Sequence, residues 1–180
     1  MADGYDEAKK QRNWAERLGE TIPGFRGYQD RELRREVDKQ QREFLSDELV
    51  QIKGKARDKA RNFADLGQIE PLDIFDRVDR RLEGLSQAIR FADYGSTGLF
   101  DPVKIGEEEL QKLYQYDLSV IEDISRLADE VSAVPESEKG EVAASLKKVL
   151  GRLDALDEKW AGRRRAISKI VQTSSTGEDE

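Results

Sequence analysis

The sequence predicts an all-α protein, an antiparallel helical bundle of four long helices plus a short N-terminal helix. Two observations carry this. Hydrophobic residues make up 37% of the chain and charged residues 38%, with both signs interleaved, the composition of amphipathic helices with long solvated faces. Apolar residues also recur with alternating spacings of three and four, the coiled-coil rhythm, in segments punctuated by Gly and Pro. At 180 residues the chain can bury roughly 70% of its unfolded surface as one domain. Residues 1–171 are therefore expected to form a single bundle, and residues 172–180, polar and acidic, a disordered tail.

The first helix is predicted from Tyr5 to Glu20, with a weak stripe of Tyr5, Ala8, Trp14, Ala15 and Leu18. The heptapeptide Ile22-Pro23-Gly24-Phe25-Arg26-Gly27-Tyr28 breaks it, because one proline and two glycines forbid a continuous helix. Asp30 is a plausible N-cap and Glu32 suits the following first turn. A long second helix is predicted from Arg31 to about Asp65, on the order of 50 Å at 1.5 Å per residue. Its stripe is Leu33, Val37, Phe44, Leu45, Leu49, Ile52, Ala56, Ala60 and Phe63, interrupted by Gln40 and Gln41.

Gly67 suits the stop of that helix and Pro71 the first turn of the next. From Pro71 to about Ala92, the spacing of Phe75, Val78, Leu82, Leu85, Ile89 and Ala92 predicts a core-facing third helix. A long Gly-rich connection, Asp93 to Gly106, carries Tyr94, Leu99, Phe100, Val103 and Ile105. The fourth helix is predicted from Gly106, with Glu107, Glu108 and Glu109 in its first turn, and buries Leu110, Leu113, Leu118, Ile121, Ile124, Leu127 and Val131. Pro135 ends it. The fifth is predicted from Ser137 to Val171 on Val142, Leu146, Val149, Leu153, Leu156, Trp160, Ile167 and Ile170, with Arg163 standing where the stripe calls for an apolar residue.

Composition also removes whole classes of chemistry. The chain has no Cys and no His, so disulfides, thiolate nucleophiles, Ser-His-Asp and Cys-His triads, and His-based zinc or di-iron sites are excluded. The acidic start of the sequence lacks an apolar leader region, and no apolar run approaches the ~20 residues of a bilayer-spanning helix. A cytoplasmic protein is expected. A net charge of -7 argues against nucleic acid as the partner, since phosphate binding depends on clustered Lys and Arg.

Two surfaces stand out as binding candidates. Phe25, Arg26 and Tyr28, with Leu99 and Phe100 of the long connection, carry enough apolar surface for docking a protein partner. The competing reading of Ile22 to Tyr28 is a buried corner that fixes the angle of the second helix. Lys53, Lys55, Arg57, Lys59 and Arg61 flank a small-residue apolar stripe on both sides, which suits either an anionic lipid surface or cationic stems lying along a core helix.

Arg163, Arg164 and Arg165, near the predicted end of the last helix, would complement its C-terminal dipole, with an anion or acidic-partner contact beside Trp160 as the alternative. Glu107, Glu108, Glu109, Glu122 and Asp123 resemble the carboxylates of all-α nucleotide pyrophosphatases, which bind Mg²⁺ through Glu and Asp. The E-E-x-x-E pattern fails, however, with Gln111 or Lys112 at the last place. Gly95-Ser96-Thr97-Gly98 lacks the Lys and the preceding strand of a phosphate loop and reads as a turn.

The run Ile22-Pro-Gly-Phe-Arg-Gly-Tyr-Gln-Asp-Arg-Glu-Leu-Arg-Arg-Glu-Val-Asp38 resembles the opening of a family of uncharacterised bacterial helical proteins. The resemblance implies a bacterial cytosolic helical protein, with no activity or catalytic residue. Together these readings lead to a non-enzymatic helical scaffold or protein-interaction module without cofactor or metal, whose partner is a second protein or another copy of the chain. A peripheral membrane scaffold is the first alternative and a Mg²⁺-dependent hydrolase the second.

Overall fold

The computed structural model describes residues 16–25, 34–92, 107–136 and 139–176. The protein is an all-α helical bundle. Helix α1 covers residues 16–21, α2 Arg34–Asp65, α3 Leu72–Arg90, α4 Glu107–Ser132 and α5 Lys139–Thr176. Among the described residues there is no strand.

Where one domain is expected, the chain divides into two compact units: Met1–Phe44, Ala92–Val120 and Trp160–Glu180 form the first, and Leu45–Phe91 with Ile121–Lys159 form the second. Helices α2, α4 and α5, of 32, 26 and 38 residues, each contribute to both, whereas the 19-residue α3 belongs to the second alone. The three longer helices each carry enough apolar stripe to serve two clusters of side chains.

In the second unit, α3 follows its sequence pattern closely: Phe75, Val78, Leu82, Leu85 and Ile89 are all buried. The same unit also buries Leu49, Ile52 and Phe63 of α2 and Leu146, Val149 and Leu153 of α5, and the Phe63 and Phe75 rings lie 5.6 Å apart. Each such side chain stabilises the fold by roughly 1.5–3 kcal/mol on burial. The pairing of α2 with α3 is antiparallel, since Lys53 bonds Glu83 while Arg57, one turn later, bonds Asp79, one turn earlier. The pairing of α4 with α5 is antiparallel too, with Asp123 bonded by Lys159 and Glu130 by Arg152.

The first unit buries Leu18, Ile22, Val37, Leu113, Tyr114, Trp160 and Ile167. Its Ile22-Pro23-Gly24-Phe25 corner has the pattern of a type II turn. The Phe25 N–H donates to the Ile22 carbonyl at 3.1 Å, proline occupies the second place, and Gly24, with φ 75°, occupies the third.

Two expectations need correction. Helix α5 continues to Thr176, so Gln172 to Thr176, assigned from sequence to a disordered tail, are helical. No helix breaker stands in the way before Gly177, and a long packed helix propagates through polar residues at little cost. On α4 the predicted Leu110, Leu113, Leu118, Ile124, Leu127 and Val131 are buried, but Ile121 is only half-buried and Tyr114 and Val120 join the buried face, which is wider than the predicted stripe.

Candidate functional site

The corner between α2 and α3 is built by its backbone. Gly67, at φ 69°, takes the left-handed place that ends α2. The Gln68 N–H reaches back to the Phe63 carbonyl at 2.9 Å and the Gly67 N–H to the Ala64 carbonyl at 2.9 Å, the paired bonds of a Schellman motif. Large apolar side chains stand on either side of the glycine, and both face solvent: Leu66 is 68% exposed and Ile69 72%. Phe91, beyond the other end of α3, is 72% exposed as well. Sequence reasoning took Gly67 as a stop signal and passed over its neighbours, although a Leu and an Ile within three residues of a polar turn were the available signal.

The predicted basic face is largely occupied. Lys53 bonds Glu83, Arg57 makes a two-pronged contact with Asp79, and Lys59 donates to the Val134 carbonyl at 2.9 Å and lies 3.9 Å from Glu136. Arg61 meets Asp58 on its own helix at 3.4 Å, and Lys55 is exposed. The hydrogen bond from Arg57 holds the Asp79 carboxyl below its ordinary range, and that from Lys53 does the same for Glu83. Lys53, Arg57 and Lys59 thus have their heads paired within the second unit, while Lys55 and Arg61 stay exposed.

Of the predicted docking residues, Phe25 is half-buried, its ring edge-on to Tyr114 with centroids 6.3 Å apart. Arg26, Tyr28, Leu99 and Phe100 lie outside the described residues, as does Gly95 to Gly98. Ile22 is fully buried, and the Gln40 side chain donates to the Pro23 carbonyl, so this end of the heptapeptide acts as a packed corner.

Arg163 shows what the missing stripe position is for. Its side chain is fully buried, 5.1 Å over the Trp160 ring. The guanidinium donates from Nε to Asp117 at 2.6 Å, from Nη1 to Asp38 at 3.0 Å and from Nη2 to Gln41 at 3.3 Å. Asp38 and Asp117 are themselves fully buried, and Asp38 also accepts from Arg42 at 2.8 Å. The expectation that Arg163 to Arg165 complement a helix end is overturned, because α5 runs on to Thr176 and has no basic residue in its last turn. Arg165 is exposed, and Arg163 is spent on carboxylates within the first unit. A cation so fully neutralised is a structural tie rather than a site for ligands.

Among the described residues no three carboxylates gather closely enough to hold a metal ion, and no helix is long and apolar enough to cross a membrane. Glu108 pairs with Lys112 at 2.8 Å, and Asp123 is taken by Lys159 and Arg126. No family model, curated protein or solved structure matches this chain.

Proposed function

We propose that the protein is a non-enzymatic helical interaction module of the cytoplasm, docking a protein partner through the corner between α2 and α3. The observation that supports this is the exposure of Leu66 and Ile69 beside Gly67, where polar residues would serve the turn equally well. Burial of both against a partner would contribute roughly 1.5–3 kcal/mol each, enough to make them anchors of a small interface. The Schellman bonds hold the backbone of the corner, so little ordering cost opposes docking. The resemblance of the Ile22 to Asp38 segment supports a bacterial setting. The anionic-lipid reading of Lys53 to Arg61 is weaker, since Lys53, Arg57 and Lys59 would have to leave Glu83, Asp79 and Val134 to reach phosphates.

A photo-crosslinking residue at position 69 in the native host, with a second at exposed position 141 of α5 as control, tests the reading. The expected result is a discrete adduct from position 69 alone, reduced at least tenfold by Leu66→Asp with an unchanged far-UV circular dichroism spectrum. Absence of an adduct at 69, or equal adducts at both positions, would remove the corner as a docking site.

A further inference from the structure

Three arginines of α3, Arg77, Arg80 and Arg81, line one open groove together with Leu150 and Asp154 of α5. The groove has a volume of about 310 Å³, at the lower end of the roughly 300–1,000 Å³ typical of small-ligand sites. The spacing of i, i+3 and i+4 places all three side chains on one helical face. Their roles differ. Arg81 is anchored, with Asp154 bonded to its Nη2 and Asp157 3.5 Å from the same atom. Arg77 and Arg80 are exposed and make no ion pair or hydrogen bond with another described residue, so their donor forks are available.

We infer that this groove binds a small phosphate ester of a hydroxylated compound, with Arg77 and Arg80 clamping the phosphate and Asp154 accepting from a ligand hydroxyl. Two arginines present planar, paired N–H donors that match phosphate oxygens, which a lysine pair would not. Arg81 adds a third positive charge whose position is fixed by α5. Asp154 would repel a bare phosphate dianion, yet it suits a ligand that carries a donor a few ångströms from its phosphate. Asp73 and Asp76 lie one turn before Arg77 and Arg80 and are exposed, so their negative charge on the same helix lowers the affinity for an anion, which also falls with salt. Two glycines border the groove in sequence, Gly84 on α3 and Gly151 on α5, and nothing lies within 4 Å of the position a Cβ would take at either. The inference is independent of the Leu66 and Ile69 corner.

The chemistry could come from a soluble metabolite or from a lipid headgroup, and the test separates them. Amide resonances of the full chain are followed at low salt during titration with glycerol phosphate, inorganic phosphate and glycerol. Co-sedimentation is measured in parallel with phosphatidylcholine vesicles, with and without phosphatidylinositol monophosphate. The expected result is a saturable shift confined to α3 and the facing part of α5, tighter for glycerol phosphate than for inorganic phosphate and absent for glycerol. Arg77→Gln with Arg80→Gln should weaken it about tenfold or more while leaving the remaining resonances in place. Asp154→Asn should abolish the preference for glycerol phosphate over inorganic phosphate. Vesicle binding that the arginine variants remove would assign the lipid source, and binding of the solute alone the soluble one. No saturable shift at millimolar ligand, or equal shifts in the arginine variant, would overturn the site, and equal affinity for the two phosphates would overturn the role of Asp154.

Discussion

Replacement of Arg163 by methionine tests the account of the first unit most directly. Methionine matches the length of the side chain and supplies the apolar residue that the α5 stripe calls for, so a purely hydrophobic view predicts a neutral or favourable change. The observed geometry predicts the opposite. Asp117 loses both of its bonds from Arg163, at 2.6 and 3.4 Å, and Asp38 is left with Arg42 alone. Removing one partner of a buried ion pair costs about 3–5 kcal/mol, because the remaining charge keeps its desolvation cost without the cation that offset it. For a chain of this size a 3 kcal/mol loss lowers Tm by roughly 6–12 °C.

The chain has two tryptophans, Trp14 and Trp160, so Trp14→Phe leaves Trp160 to report on the first unit during urea unfolding. A deficit below about 1 kcal/mol at neutral pH would refute the buried-charge reasoning, since a surface pair contributes that little.

Other consequences follow from the same geometry. Gly24→Ala should destabilise by about 1–2 kcal/mol, because an L residue resists φ 75° and its Cβ would lie 2.8 Å from Gln40 Nε2; thermal unfolding checks this. Gly54→Ala and Gly151→Ala, at exposed helical positions with open space around them, should each stabilise by about 0.5–1 kcal/mol in the same assay. Hydrogen bonds from Arg57 and Arg152 hold Asp79 and Glu130 below their ordinary range, so their stabilisation is present above the unfolded carboxyl pKa of about 4 and is lost as pH falls through the lower folded values. Arg152→Ala should accordingly flatten the acid limb of stability measured by urea titration. Burial raises the Tyr116 phenol, so stability should decline as pH rises past its ordinary value of about 10, and Tyr116→Phe should remove that decline.

The elements that were legible from sequence are those in which a single physical rule operates. On α3 every predicted core residue from Phe75 to Ile89 is buried, because the helix has one apolar face and faces one core. The clustered polar residues were half legible. Gln41 interrupts the α2 stripe and Arg163 the α5 stripe, and in the fold the two side chains meet. A gap in one stripe does not say which other gap it faces, and Asp38 and Asp117 lie beside stripes rather than within them, so neither stood out among so many charges. The exposure of Leu66 and Ile69 was hidden for the converse reason: an apolar residue beside a turn has no periodicity to belong to. The extension of α5 to Thr176 was missed because stripes mark where a helix packs, not where it ends.

The two kinds of charge pair set register with different force. On the outside of the second unit, a slip of one turn between α2 and α3 would bring Arg57 against Glu83 and Arg61 against Asp79, so these cations fit more than one alignment. The Arg90 bonds to Ser46 and Asp47 and the Gly67 turn must settle it. The buried cluster is far less degenerate, since the one cation a slip could substitute, Lys159, would have to leave Asp123. A slip of one turn in α5 would present Lys159 or Ile167 in place of Arg163, and one in α4 would present Leu113 or Ile121 in place of Asp117. Neither alignment puts a guanidinium against a carboxylate, so the cluster acts as a register lock. A variant carrying Arg163→Met together with Asp117→Leu keeps the Asp38 pair with Arg42 and removes the lock without stranding Asp117. Its stability should stay near the parent or exceed it by about 1–4 kcal/mol. Its amide resonances should broaden or double around Val37, Tyr114 and Ile167, because apolar contacts tolerate sliding where the charge cluster does not. A single sharp set of resonances with unchanged shifts at those three residues would show that apolar packing alone fixes the alignment of the first unit.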